Sequence, residues 1–405
     1  MIILHTSDWH LGAQLHGYDR TDAQFAAIRN IINVAAQRKV DAIVVSGDVF
    51  DVSAPSSMAQ NMLSQLLGEM RRACPDARII LTAGNHDGAS RLQAFRQIFD
   101  IAGITVVGVP GRVDDPSNFA DRLAVDIAGK GYVIALPYVN SRLLNDDFRK
   151  AVAEGVGRLD TSRPVVLMAH QAVSGCVFRG HTQTDTIVGG LSVVAADILG
   201  GAADYVALGH IHKPQTLKGG HARYSGSPLQ VSFDEDYPHS VSIVEIAGRG
   251  ARPVIEEVRL DVTQPLVTIG GEDGISPDEA VERARREADP DTRSLPPGAY
   301  VRINLNIAPG QTLTSAQETE IRQAIDEAGC TYVLSNIRVA RHEADGAGSA
   351  PLSVAEFRRL TPQEVAIDYC RRTGCSLTDE QMALFNEVVD LVREPGGDDD
   401  ENDEK

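Results

Sequence analysis

The chain has 405 residues, of which 43% are hydrophobic and 23% charged, and a formal net charge of −18. That length accommodates two or three domains of roughly 150 residues, and the composition is that of an ordinary globular protein. The acidity argues against a naked nucleic-acid binder, which usually carries a basic face, although bound divalent cations would not enter this count.

The longest apolar runs, such as YVIALPYV at 132–139, fall far short of the about 20 residues of a membrane span. The opening MIILHTSDWH has no basic region or long apolar core, so no signal peptide is visible and a cytoplasmic setting is expected. The five cysteines are scattered without a CxxC pair, which predicts reduced thiols rather than a zinc ribbon or redox centre. Neither a GxxxxGK[ST] loop nor a GxGxxG turn after a strand is present, so no nucleotide-binding loop is expected.

In chain order, residues 2–10 read as a strand running into a loop. Residues 21–39 carry Phe25, Ile28, Ile32 and Ala35 at helical spacing, with Thr21 or Asp22 as the expected N-cap. The β-branched run Ala42 to Val45 predicts a buried parallel strand, which stops at Ser46-Gly47 before two carboxylates, Asp48 and Asp51. After Pro55 a second amphipathic helix, 56–73, sets Met58, Met62, Leu63, Leu66, Leu67 and Met70 on one face. Further strands are expected at 78–87, 132–139, 164–171 and 204–214, giving an α/β layered fold. The segments starting at Ala222, Ser240 and Pro253 look antiparallel and are expected to finish a second sheet.

A boundary falls near Val262 to Pro265, and beyond it three strands and two helices predict a compact α+β unit to about residue 342. Residues 343–352 read as a Gly/Ala/Ser linker. Two helices follow within 353–394, with Val354, Phe357, Leu360, Val365, Leu384, Val388 and Leu391 offering more apolar surface than so short a pair can bury alone. The tail 395–405 carries six acids against one lysine and reads as disordered.

Five strand ends carry one chemical class: Asp8-Trp9-His10, Asp48, Asn85-His86-Asp87, His170 and His210-Ile211-His212. An aspartate after one strand is ordinarily a turn former, and a single histidine ordinarily structural. Five of eleven histidines converging on one rim, with carboxylates, point instead to metal. Asp, Asn and His together suit Mn, Fe or Zn better than Ca or Mg. Seven candidate ligands and a spare histidine imply two ions, about 3.5–4 Å apart as in hydrolytic two-metal sites.

In this order, DxH, GDxxD, GNHD, H and GHxH resemble the signature of the calcineurin-like metallophosphoesterases. More narrowly, DWHLG, GDVFD, GNHD, GHIHKPQ and YSGSPLQVSFDE are similar to the family of bacterial SbcD-type nuclease subunits, relatives of the Mre-type DNA repair nucleases. The resemblance implies a β-sandwich flanked by helices over 1–262, a capping, DNA-binding domain over 263–342 and a helix pair over 353–394. It implies two divalent metals, Mn²⁺ first among them, with Asp8, His10 and His212 on one, Asn85, His170 and His210 on the other, and Asp48 on both. His86 would stabilise the transition state or protonate the leaving oxygen, and Asp87 could orient its ring. Some relatives carry histidine where this chain has Asp51, and its role is open.

The implied activity is an ATP-stimulated double-strand exonuclease and a single-strand or hairpin endonuclease within a DNA repair and recombination complex. The implied partners are DNA, a coiled-coil ATPase bound through the C-terminal helices, and a second copy of the chain. Candidate phosphate contacts are Arg20, Arg91, Arg142, Arg179 and Lys213. The stripe Met58, Met62 and Met70 suits either an adaptable dimer interface or packing on the sheet.

Two other readings compete. Phosphatases of this type carry GDxxDRG and GNHE, whereas here Asp51 precedes Val52-Ser53 and the later motif is GNHD; a small phosphodiesterase remains open. A metal-free scaffold on the same fold should have lost ligands, and none of the expected types is missing.

Overall fold

The computed structural model describes residues 1–94, 96–110, 123–140, 143–160, 162–177, 194, 203–308, 311–339, 361–373, 378 and 381–386. Arg142, Arg179, the linker 343–352, residues 353–360 and the tail 395–405 lie outside them. The described residues fall into two compact units, one within Met1–Thr268 with Arg293–Arg302 and Asp326–Val333, the other within Ile269–Thr292, Ile303–Ile325 and the described residues from Leu334.

The first unit is built on two six-stranded sheets. In chain order its elements begin with β1 (Ile2–Thr6), α1 (Thr21–Arg38), β2 (Ala42–Ser46), α2 (Ser57–Ala73) and β3 (Arg78–Thr82). They continue with α3 (Ala89–Gln93), α4 (Arg96–Ile101), β4 (Ile104–Val107), β5 (Ala124–Asp126), β6 (Tyr132–Ala135) and α5 (Asp146–Gly157). Then come β7 (Val165–His170), β8 (Tyr205–Gly209), β9 (Gln215–Thr216), β10 (Ala222–Tyr224), β11 (Ser240–Glu245) and β12 (Val254–Arg259). The first sheet runs β12-β11-β1-β2-β3-β4 and the second β5-β6-β7-β8-β10-β9. Strands β1 to β4 are mutually parallel, as are β6, β7, β8 and β10.

The unbroken apolar run of β2 follows from burial on both faces. Ala42 and Val44 face the core shared with the second sheet, while Ile43 and Val45 face the core under α1 and α2. Register carries this across the sheet: Ile243, Leu4, Ile43, Ile79 and Ile104 pair strand to strand into one apolar row. Ile28, Ile31 and Ala35 of α1 and Met62, Leu66 and Met70 of α2 belong to the core on that side. Each of these isoleucine, leucine and methionine side chains contributes about 1.5–3 kcal/mol on leaving water.

Three expectations are corrected. The antiparallel strands β11 and β12 complete the first sheet, not the second, because β11 pairs with β1; only β10 joins the second sheet, parallel to β8. The cap of α1 is neither Thr21 nor Asp22: Arg20 holds the N-cap position, and Asp19 Oδ1 accepts from the Thr21 hydroxyl at 2.7 Å. Met58 is off the buried face of α2, at 53% exposed, while Met62 and Met70 are packed inside. Strands β4 and β5 and helix α5, not among the expected elements, complete the layers, although Ile104–Val107 is a β-branched run and Asn145 caps α5.

Past this unit's main run come β13 (Leu266–Ile269), α6 (Pro277–Ala288), β14 (Tyr300–Ile307), α7 (Ser315–Glu327) and β15 (Thr331–Val339), the strands ordered β13-β14-β15. Val301, Ile303, Leu305 and Ile307 alternate along β14 and are buried, the period of a sheet covered on one face. Helix α6 starts where Ser276 Oγ accepts the Glu279 N–H, with Pro277 first in the helix. Helix α8 (Pro362–Thr373) opens on a capping box between Thr361 and Glu364, and residues 381–386 are helical. The four described cysteines are free thiols, and among the described residues no helix is long and apolar enough to cross a membrane.

Candidate metal centre

The C-terminal ends of β1, β2, β3, β7 and β8 meet at one rim, where open α/β sheets collect ligands. The loops after β1 and β2 are zipped together: Asp8, His10 and Leu11 donate their backbone N–H groups to Gly47, Asp48 and Val49, each at 3.0 Å. Among the described residues seven non-glycines have positive φ, and four lie on this rim: Asp8 (54°), His10 (45°), Asp48 (50°) and His210 (94°). Such conformations cost on the order of 1–3 kcal/mol each and persist only where surrounding bonds enforce them.

Glycines make the approach possible. A Cβ on Gly84 would lie 2.0 Å from Asp48 Oδ1, and one on Gly47 2.3 Å from His170 Nδ1. The glycines of GDVFD and GNHD are therefore required by contact between loops.

The rim assembles the expected donors into two sets. Asp8, His10 and His212 bring ligand atoms within 4.8 Å of one another, and so do Asp48, His170 and His210. Asn85 Oδ1 lies 3.0 Å from both His170 Nε2 and His210 Nδ1, which puts it in the second set. Asp48 Oδ2 stands 3.2 Å from His170 Nε2 and 3.8 Å from His10 Nε2, between the two.

Proton assignments test whether cations fit. His10 Nδ1 faces Asp51 Oδ1 at 3.2 Å and His212 Nδ1 faces Glu235 Oε1 at 2.8 Å, so each Nδ1 carries the proton. That leaves two Nε2 lone pairs aimed at each other across 3.2 Å. His170 Nδ1 donates to the Ser46 carbonyl at 2.8 Å, turning its Nε2 lone pair toward the oxygens of Asn85 and Asp48. Lone pairs facing lone pairs call for a proton or a cation between them, and these oxygen and imidazole donors suit a divalent metal.

In the bare protein that demand is met by protons. Burial opposes charge on His10, but the bonded Asp51 and the charges of Asp48 and Asp8 outweigh it and raise its pKa to about 9. Burial likewise opposes charge on His170, and Asp48 overrides it, again to about 9. The same partners hold the Asp48 carboxyl far below its ordinary range against the effect of burial.

The remaining predicted residues divide. His86 stands beside the first set, its ring 5.0 Å from that of His10, and its backbone N–H donates to Asp48 Oδ1 at 2.9 Å. Its Nδ1 donates to the Asp51 carbonyl at 2.8 Å, so Asp87 does not orient this ring, contrary to expectation. Asp87 instead accepts the N–H groups of Val49, Phe50 and Gly84, tying the β2 loop to the β3 loop. Burial and the neighbouring Asp48 charge push its pKa up to about 6 despite those bonds.

Arg20, expected at a phosphate, is only 4% exposed and donates to Gln264 Oε1 at 2.7 Å and to the Gln230 carbonyl. A buried side chain so engaged cannot reach a backbone phosphate. Arg91 is exposed on α3, and Lys213 is half-buried with Nζ 5.9 Å from the Tyr237 ring centroid.

Sequence reasoning missed Glu235, although it ends the stretch YSGSPLQVSFDE; no local pattern marks a carboxylate that meets His212 from 23 residues away. Asp51, left open, proves to support both His10 through its carboxylate and His86 through its carbonyl.

A two-sheet α/β sandwich with paired Asp/His/Asn donor sets at its strand ends is the architecture of a metal-dependent phosphoesterase. Residues 1–214 match the family model of the calcineurin-like phosphoesterases. The SbcD component of the nuclease SbcCD from Rhodobacter capsulatus is 32% identical over 393 residues, which cover 90% of this chain and 93% of that one. The corresponding SbcCD component of Bacillus subtilis is 36% identical over 298 residues, 68% of this chain and 74% of that one. That of Escherichia coli K12 is 30% identical over 294 residues, 67% and 71% of the two chains. The chain belongs to the calcineurin-like phosphoesterase family and, within it, to the SbcD-type nucleases, and it is a metal-dependent phosphodiesterase.

Proposed function

We propose that the chain is a manganese-dependent DNA nuclease, working as an ATP-stimulated double-strand exonuclease and a single-strand or hairpin endonuclease. The observation that carries the two-metal reading is the single Asp48 oxygen standing between His10 Nε2 and His170 Nε2. Asp8, His10 and His212 would hold one ion, Asn85, His170 and His210 the other, and Asp48 both. Bound there, two divalent ions would lower the pKa of water and neutralise charge on phosphoryl oxygens.

The chain's own groups supply the rest. His86, held through Nδ1 by the Asp51 carbonyl, is left with Nε2 to give a proton to the leaving oxygen. Asp87 acts through the backbone by keeping the two loops in register. Val52-Ser53 after Asp51 offers no arginine for a phosphomonoester dianion, which favours a diester substrate.

The relatives' name as components of SbcCD supports a partner, which we take to be an SbcC-like coiled-coil ATPase docking on the helices of 353–394. In the same reading 1–262 is the nuclease domain, 263–342 a DNA-binding cap, 343–352 a linker and 395–405 an acidic tail. Arg91 and Lys213 remain candidates for the phosphate backbone, two copies pair within a heterotetramer, and the complex works on the nucleoid in the cytoplasm.

The test is incubation of purified chain with Mn²⁺ and end-labelled duplex, hairpin and single-stranded DNA. Cleavage is expected; turnover of a phosphomonoester with no cleavage of any DNA defeats the nuclease reading. Deleting 353–394 should spare Mn²⁺-dependent cleavage and abolish ATPase association, and unchanged association rejects that interface.

A further inference from the structure

The imidazoles of the two donor sets are backed by different chemistry. On the first side both Nδ1 atoms donate to carboxylates: His10 to Asp51 and His212 to Glu235. On the second side His170 Nδ1 donates to the neutral Ser46 carbonyl, while His210 Nδ1 and Asn85 Oδ1, 3.0 Å apart, both face the ion position. Asp8, Asp51 and Glu235 thus stand around the first position, whereas the second set has the neutral Asn85 among its donors and only the shared Asp48 as a carboxylate.

Glu235 is built in firmly. It is 1% exposed, its Oε2 accepts the Val231 N–H at 2.9 Å, and Gln230 Nε2 donates to its carbonyl at 2.9 Å. The neighbouring permanent cation, Arg20, donates to Gln264 and the Gln230 carbonyl rather than to this carboxylate. His239 Nε2 also stands 3.6 Å from Oε2 of the same carboxylate. A carboxylate behind a ligating imidazole fixes its tautomer and raises its basicity, and a more negative surround favours a dication further.

We infer that the two cation positions are unequal and fill in order, the Asp8–His10–His212 position first, with Asp51 and Glu235 as the positioning residues that set the order. The inference rests on the two-metal reading above.

The experiment is titration of Mn²⁺ into the chelator-stripped full-length chain. Electron paramagnetic resonance follows free and bound ion and elemental analysis gives stoichiometry, so catalysis is not needed as a readout. The wild type should bind two ions in separate steps, showing an uncoupled mononuclear spectrum at one equivalent and a spin-coupled one at two. Glu235→Gln and Asp51→Asn, which keep an acceptor and remove the charge, should each weaken the tight step by about 10–100-fold and leave the weak one in place. His170→Gln should remove the weak step alone. Should Glu235→Gln fail to melt cooperatively in chelator, Asp51→Asn carries the test, since that side chain is already 33% exposed. Two equal sites, or equal weakening of both steps, overturn the inference while leaving the two-metal reading intact. Binding of fewer than two ions to the wild type overturns both.

Discussion

The two sheets bring unlike chemistry to one rim. The first, through the ends of β1, β2 and β3, supplies the anionic donors Asp8 and Asp48, the supporting Asp51 and Asp87, and His10, Asn85 and His86. The second, through β7 and β8, supplies His170, His210 and His212. Neither sheet holds a complete donor set, so charge compensation sits with one layer and closure of the coordination with the other. The seam is held directly: Ser46 Oγ donates to the Ala207 carbonyl at 3.0 Å and Asp8 accepts the His210 N–H at 3.0 Å.

The largest break in this arrangement should come from Asp48→Asn, which removes the charge shared by both sets. Both ions should be lost from the purified protein, with cleavage falling by at least the ~10²–10³-fold typical of deleting one electrostatic stabiliser. Metal analysis showing two retained ions would end the bridging role. Next, His86→Ala should keep both ions and lose roughly 10²–10⁴ in rate, the range of a general acid. Collapse of metal content would make His86 a ligand instead.

Gly84→Ala strikes the first sheet's loop contact, since the new methyl group would meet Asp48 Oδ1. We expect a loss of about 1–3 kcal/mol in urea titrations made with chelator present. Gly209→Ala, whose Cβ would meet the Ser46 carbonyl at 1.9 Å, asks the same of the second sheet. A neutral result in either shows that its loop can relax.

A last prediction is the response of the metal-free chain to pH. His10 and His170 have pKa values raised from 6.5 to about 9, so their contribution to metal-free stability is full below pH 6.5 and is lost as pH rises through 9. Asp87, raised from 3.8 to about 6, loses its contribution in the lower window, as pH rises through 6. Urea midpoints of the stripped chain at pH 7 and 9 should therefore fall, and Mn²⁺ should abolish the upper window by displacing those protons. Mn²⁺ added at pH 7 in weak buffer should release acid, and an unchanged pH would show that the imidazoles are neutral beforehand.

Much of this was legible in the chain itself. Short apolar runs ending in Asp, Asn or His identified the strands and the chemistry at their ends, because burial on both faces leaves no room for polar residues until the loop. The less legible parts were long-range. β11 reads as a strand, yet nothing local announces that Ile2 will pair with Glu245. Arg20 looked like a loop arginine because its burial depends on Gln230 and Gln264, more than 200 residues away. Asp87 sits next to His86 in sequence, but loop geometry turns it toward the backbone of the β2 loop.

By itself, then, the sequence determined the residue types at the strand ends and hence the class of chemistry, since period and polarity are local properties of the chain. Only the tertiary structure decided which imidazole answers which carboxylate: His10 to Asp51, His212 to Glu235, His170 to the Ser46 carbonyl. Those pairings come from the register of strands and the approach of glycine loops, which depend on how two layers pack and on no single stretch of residues.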